Sequence, residues 1–134
     1  MMVLMMVLLC AALVGSTAIS LSTSSTLPRV PPSVLFDYLA TASNWPKIVL
    51  SSWAVEGEQL DAPLCQGDSV SEVFGLPPLF PLRVQWTCIE ASQESGSLMF
   101  ASPAGVAGIA TECQMVFVIA PTADGGGSQV ELTI

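Results

Sequence analysis

The chain has 134 residues, 51% of them hydrophobic and 10% charged, a length that fits one domain. Eleven acidic residues stand against Arg29, Lys47 and Arg83, and the formal net charge is −8; such a surface repels phosphate backbones and anionic lipid heads, which excludes a nucleic-acid partner. Histidine is absent, which removes the imidazole as base, nucleophile activator and metal ligand.

Residues 1–14 are apolar throughout. The run is shorter than the roughly 20 residues of a spanning helix. With Ser16 and Ala18 as the small pair before a cleavage point, it predicts a signal peptide over 1–18 and a secretory or extracellular destination; an uncleaved membrane anchor is the alternative. Residues 20–26 (SLSTSST) are polar and low in complexity. They predict a flexible linker over 19–28, or the front of a plastid transit peptide, which keeps the plastid as a second destination. The domain proper is expected over 29–134. Pro28 and Pro31 hold Arg29 and Val30 extended, and Pro31 and Pro32 suit a helix start, where a missing N–H is harmless. Val34, Leu35, Tyr38 and Leu39 recur at helical spacing, predicting a short amphipathic helix over 32–40. Residues 41–44 interrupt it, and Trp45-Pro46-Lys47 adds a second break or brief turn.

From Ile48 the period changes to two. Val49, Trp53 and Val55 share one parity, and Val70, Glu72 and Phe74 another. Leu82, Val84, Trp86 and Cys88 alternate with Arg83, Gln85 and Thr87, the clearest half-buried strand in the chain. Leu98 and Phe100 share a face. Ile109, Thr111, Cys113, Met115, Phe117 and Ile119 predict one long strand, and Val130, Leu132 and Ile134 a last one. Residues 92–96, 103–108 and 124–127 supply the turns, the last with glycines that tolerate positive φ. The order is short helices, then six strands joined by short turns: an antiparallel meander with helices grouped at one end, an α+β fold. The alternation is still running at Ile134, and an apolar face needs a cover; the expectation is a chain cut short of its last element.

The segment VPPSVLFDYLATASNWPKIV, residues 30–49, brings a strand end, a proline, a short helix and a Trp-Pro pair together. Gly67-Asp68 opens a strand, a long late strand starts at Ile109, and a glycine-rich turn precedes Val130. In these features residues 29–134 resemble the helix-grip superfamily, which includes START-like lipid carriers, the birch-pollen-allergen type, coenzyme-Q-binding proteins and polyketide cyclase/dehydrases. The resemblance implies a strongly curved antiparallel sheet wrapped around a long C-terminal helix, with an apolar cavity between them. That helix is missing from the sequence, so the cavity is expected as an open trough.

Chemistry-bearing residues are few. Cys65, Cys88 and Cys113 lie 23 and 25 residues apart without a close pair, so metal-site spacing is absent, and no cofactor is implied. Cys88 and Cys113 have the parity of core residues, whereas Cys65 sits in a loop. Glu72 lies between Val70 and Phe74 on the expected inner face, and Glu90 has the parity of Trp86 and Cys88. A carboxyl facing an apolar cavity is a candidate acid or base, because desolvation disfavours its charged form; the plainer reading is a strand-end Glu reaching water or turned outward by a bulge. Trp53, Phe74, Trp86, Phe100, Met115 and Phe117 are expected to face inward, as core or as the lining of a binding cavity. Residues 74–82 (FGLPPLFPL), from Phe74 to Leu82, form an apolar, proline-rich connection where a polar loop is expected, a candidate rim for ligand, membrane or protein contact. Three functions follow in order: binding of an apolar small molecule such as a lipid, quinone, pigment or polyketide; a polyketide cyclase/dehydratase-like enzyme using Glu72; and a non-catalytic interaction domain docking through residues 74–82.

Overall fold

The computed structural model describes residues 18–49, 52–76, 79–106 and 110–134. The expected leader, Ala18 excepted, lies outside the described residues, as does Ile109. Seven strands form one antiparallel sheet: β1 Ser22–Pro28, β2 Ser52–Glu56, β3 Ser69–Leu76, β4 Leu79–Ser92, β5 Ser97–Ser102, β6 Cys113–Pro121 and β7 Gly127–Thr133. Their spatial order is β1-β7-β6-β5-β4-β3-β2. Between β1 and β2 come two short helices, α1 Pro32–Ala40 and α2 Trp45–Ile48, joined by a single 3-10 turn, Ala42–Asn44. The sheet curls into a half-barrel, and the fold is α+β of the helix-grip type.

Helix α1 spans the expected residues, with Pro31 as its extended N-cap and Pro32 as its first helical residue. Its buried stripe is Leu35, Phe36, Leu39 and Ala40, rotated from the expected face; Val34 and Tyr38 are exposed. The helix ends because side chains downstream take its last carbonyls, which have no partner within the helix. The Thr41 hydroxyl donates to Asp37 O at 2.7 Å, Asn44 Nδ2 to Tyr38 O at 3.1 Å, and Trp45 Nε1 to Leu39 O at 2.9 Å. These three bonds fold α2 back against the end of α1. They also bury Trp45, whose ring meets Phe100 of β5 edge-on at 5.2 Å and 80°, a favoured aromatic geometry.

Four differences from the sequence expectation have identifiable physical causes. First, the residues read as a linker form β1, paired to β7 along its whole length from Ser22–Thr133 to Pro28–Gly127. Every residue of SLSTSST but Leu21 is polar, so no alternation signals a strand; it is specified by the backbone of a partner about a hundred residues away. Second, a register shift between Ser52 and Ala54 makes Trp53 the extra residue of a β-bulge. A bulge breaks the alternation of faces, and Trp53 is left 37% exposed instead of lining the concave side. Third, a shift between Cys88 and Glu90 does the same at Ile89, breaking the parity of β4; Glu90 is turned out to solvent, the plainer of its two readings. Fourth, β6 begins at Cys113, not Ile109: Glu112 has φ 54°, and Val106 and Ala110 close a small bridge before it.

Of residues 74–82, Pro77 and Pro78 lie outside the described residues, and the rest are strand and not loop. β3 runs to Leu76, β4 starts at Leu79, and the irregularity between Phe74 and Leu76 accommodates Pro81, which has no N–H to give a ladder. At the opposite end, the β4–β5 turn requires Gly96. Its φ is 67°, a Cβ there would overlap the Ile119 carbonyl, and Ile119 N donates to Gly96 O at 2.8 Å. The turn is thereby tied to β6, and Gln93 Nε2 donates to Asp37 Oδ1 of α1 at 2.6 Å.

Candidate functional site

The ladder registers decide which side chains share the concave face. On β3 these are Val70, Glu72 and Phe74; on β4 Leu82, Val84, Trp86 and Cys88. Cys88 lies opposite Phe100, Phe100 opposite Met115, Leu98 opposite Phe117, and Phe117 opposite Leu132. Trp86, Met115 and Phe117 thus project from one surface of a curved sheet. Of the six side chains expected to line a site, five are inward. Phe74, Trp86, Phe100 and Phe117 are buried, with Phe100 fully so, while Met115 is half-buried. Trp53 is the one the structure removes, for the bulge described above.

The helices cover part of this face. α1 packs on β6 and β7, and α2 on β2. Buried Leu35, Phe36, Leu39, Ala42 and Trp45 join Leu98, Phe100 and Ile119 in a single core. Leu82, Cys113, Met115, Val130 and Leu132 border that core but are only half-buried. They form a half-buried apolar margin beside it.

Among the described residues, Glu72 is the buried carboxyl, and it sits on the concave face. Trp86 Nε1 donates to its Oε2 at 2.9 Å. The two side chains are diagonal neighbours, since Val70 faces Trp86 and Glu72 faces Val84, a spacing within reach of long side chains. Sequence reasoning placed Glu72 inward but missed its partner, because the diagonal depends on register. Arg83 points the other way and pairs with Glu56 on the convex side. Sequence reasoning also missed two buried hydroxyls without a partner among the described residues, Ser52 and Ser102. Parity with Leu98 and Phe100 carries the signal for Ser102, but a serine before Pro103 reads as the start of a turn.

The thiols split by environment. Cys65 is exposed and Cys88 buried. Burial pushes the Cys88 thiol up to about 11, opposed only in part by a hydrogen bond with the Glu90 backbone. A thiol reagent at pH 8 should therefore label Cys65 and spare Cys88 until the protein unfolds, readable by mass spectrometry. Because the folded state disfavours the Cys88 thiolate, its contribution to stability is complete below the unfolded thiol's pKa, near 9, and is lost as pH rises through about 11. Over that window the loss is roughly 2 kcal/mol, and Cys88→Ala should lack it in urea melts at pH 8 and pH 11.

Two open depressions among the described residues lie elsewhere. One, of about 460 Å³, is lined by Glu56, Glu58, Asp68 and their neighbours at the β2–β3 rim. The other, of about 570 Å³, lies around Arg29, Thr122 and Gly126. Neither holds Trp86, Met115 or Phe117. A binding site for an apolar molecule requires apolar walls with a few placed polar groups, and the concave face supplies both. No group of acidic or cysteine side chains that could hold a metal ion occurs among the described residues.

No protein-family model matches the sequence, and no curated protein matches it. Solved structures do. The allergen Ara h 8.0201 shares 16% identity at a TM-score of 0.61, over 86% of this chain and 75% of its own. The di-domain ARO/CYC StfQ from the steffimycin biosynthetic pathway shares 10% at 0.62, over 87% of this chain and 36% of its own. Norcoclaurine synthase from Thalictrum flavum, solved with dopamine and hydroxybenzaldehyde, shares 11% at 0.56, over 86% and 68%. Identities this low carry architecture and not activity: the chain has the helix-grip fold of the birch-pollen-allergen and polyketide-cyclase-like proteins.

Proposed function

We propose that the domain binds an apolar small molecule against the concave face of its sheet. The observation that carries this reading is the convergence of Trp86, Met115 and Phe117 on one curved surface, bordered by half-buried Leu82 and Leu132. The neighbours support it, in that norcoclaurine synthase was solved in complex with dopamine and hydroxybenzaldehyde. The energetics suffice. A guest that loses ~300 Å² of apolar surface to the face gains roughly 7 kcal/mol gross, and association removes several of these, leaving micromolar affinity within reach without any special polar contact.

The test uses the full chain and a neutral fluorescent probe, N-phenyl-1-naphthylamine. Met115→Asp places a carboxyl on the half-buried apolar margin and should weaken probe binding at least about ten-fold. Val118→Asp, on the opposite surface and 49% exposed, should leave it within about two-fold. Binding by Met115→Asp at the unmodified level would remove the concave face from the function.

A further inference from the structure

Across the concave face runs a row of hydrogen-bonding groups set among apolar ones. The β4–β5 ladder ends at the Thr87–Ala101 pair, next to which Trp86 follows on β4 and Ser102 on β5, and Ser102 lies directly opposite Cys113 of β6. Two members of the row are engaged. The Trp86 indole donates to Glu72 at 2.9 Å, and the Cys113 thiol meets Ala110 O at 3.8 Å. The third is not: the Ser102 hydroxyl is 1% exposed and has no partner among the described residues. Buried polar atoms are nearly always paired, and one that is not calls for an explanation. A serine hydroxyl both donates and accepts, so what it lacks is an oxygen brought in from outside the fold.

We propose that Ser102 is the polar anchor of the site, and that the guest is a neutral, oxygen-bearing apolar molecule: an alcohol, phenol or ketone whose oxygen bonds the Ser102 hydroxyl while its apolar body covers Met115 and Phe117. This rests on the binding reading above and narrows it. A pure hydrocarbon leaves the hydroxyl unpaired. An anion is disfavoured by the chain's net charge of −8 and by the carboxyl of Glu72 on the same face.

Three matched probes separate the outcomes: 2-naphthol, naphthalene and 2-naphthoate, titrated into the full chain at pH 7 by calorimetry. The expected result is 2-naphthol about ten-fold tighter than naphthalene, a preference of the size one hydrogen bond gives, with 2-naphthoate weaker than 2-naphthol. In Ser102→Ala the naphthol preference should fall to within about two-fold while naphthalene binding is unchanged. The variant should melt no lower than the unmodified chain, since the hydroxyl holds nothing within the fold. Equal binding of naphthol and naphthalene, a preference that survives Ser102→Ala, tighter binding of naphthoate than of naphthol, or a clearly lowered melting temperature in the variant would each overturn the anchor and leave apolar binding standing. Failure of all three probes to bind would overturn both.

Discussion

Phe100→Ala should lower the unfolding free energy by about 3–5 kcal/mol, the range for emptying a fully buried aromatic position. Phe100 is 0% exposed. Its ladder neighbours are Cys88 and Met115, and Trp45 closes on it edge-on from the helical side. Truncation therefore removes the contact through which the helical segment grips the sheet, together with the packing of the sheet on itself. Neighbours held by backbone ladders on both sides cannot collapse into the space, and the cost of a cavity rises with what stays empty. Urea unfolding followed by far-UV circular dichroism checks the figure, with Val118→Ala, on the exposed side, as a control expected within about 0.5 kcal/mol. A loss below about 1 kcal/mol would mean that Phe100 lines free space, the role its parity alone also permits.

That ambiguity shows what was legible in the sequence and what was not. Parity separates inward from outward side chains wherever a strand is regular: Leu82 to Cys88, Leu98 to Phe100 and Met115 to Ile119 all stand on the expected side. It fails one residue past a bulge. Trp53 was misplaced this way, whereas Glu90 took the outward position of its plainer reading; neither bulge carries a glycine or other local mark, and each arises from register against a neighbouring strand. β1 is the opposite case. Its polar residues have no alternation to read, and only Leu27 and Ser128, which face each other where the strand reaches α1, hint at a partner. Helix α1 was legible to the residue because its signals are local: two prolines at the start, and a Thr-x-x-Asn-Trp run whose side chains cap the end. The candidate site divides along the same line. Its apolar wall follows from period two, whereas the Glu72–Trp86 pair depends on a diagonal between strands, and the unpartnered hydroxyl of Ser102 on what the folded chain leaves beside it.

The Glu72–Trp86 pair gives the second large effect, and it bears on function. Trp86→Phe keeps a ring on the concave face but removes the indole N–H, leaving a buried carboxyl oxygen without its donor. Stranding a buried polar group costs about 1–3 kcal/mol, and the lost part of the ring adds to that, so a decrease of about 2–3 kcal/mol is expected. Glu72→Leu alone should also destabilise, since it strands the indole N–H instead. The double variant, with both groups gone and the face fully apolar, should recover about 1–2 kcal/mol relative to the sum of the single losses. Urea unfolding of the four proteins measures this coupling; strictly additive losses would show that the 2.9 Å contact contributes nothing. A coupled pair fixes the plane of the Trp86 indole and takes up its only donor. Glu72 is then a structural partner that keeps an aromatic wall rigid, and among the described residues of that row the unengaged hydroxyl is that of Ser102.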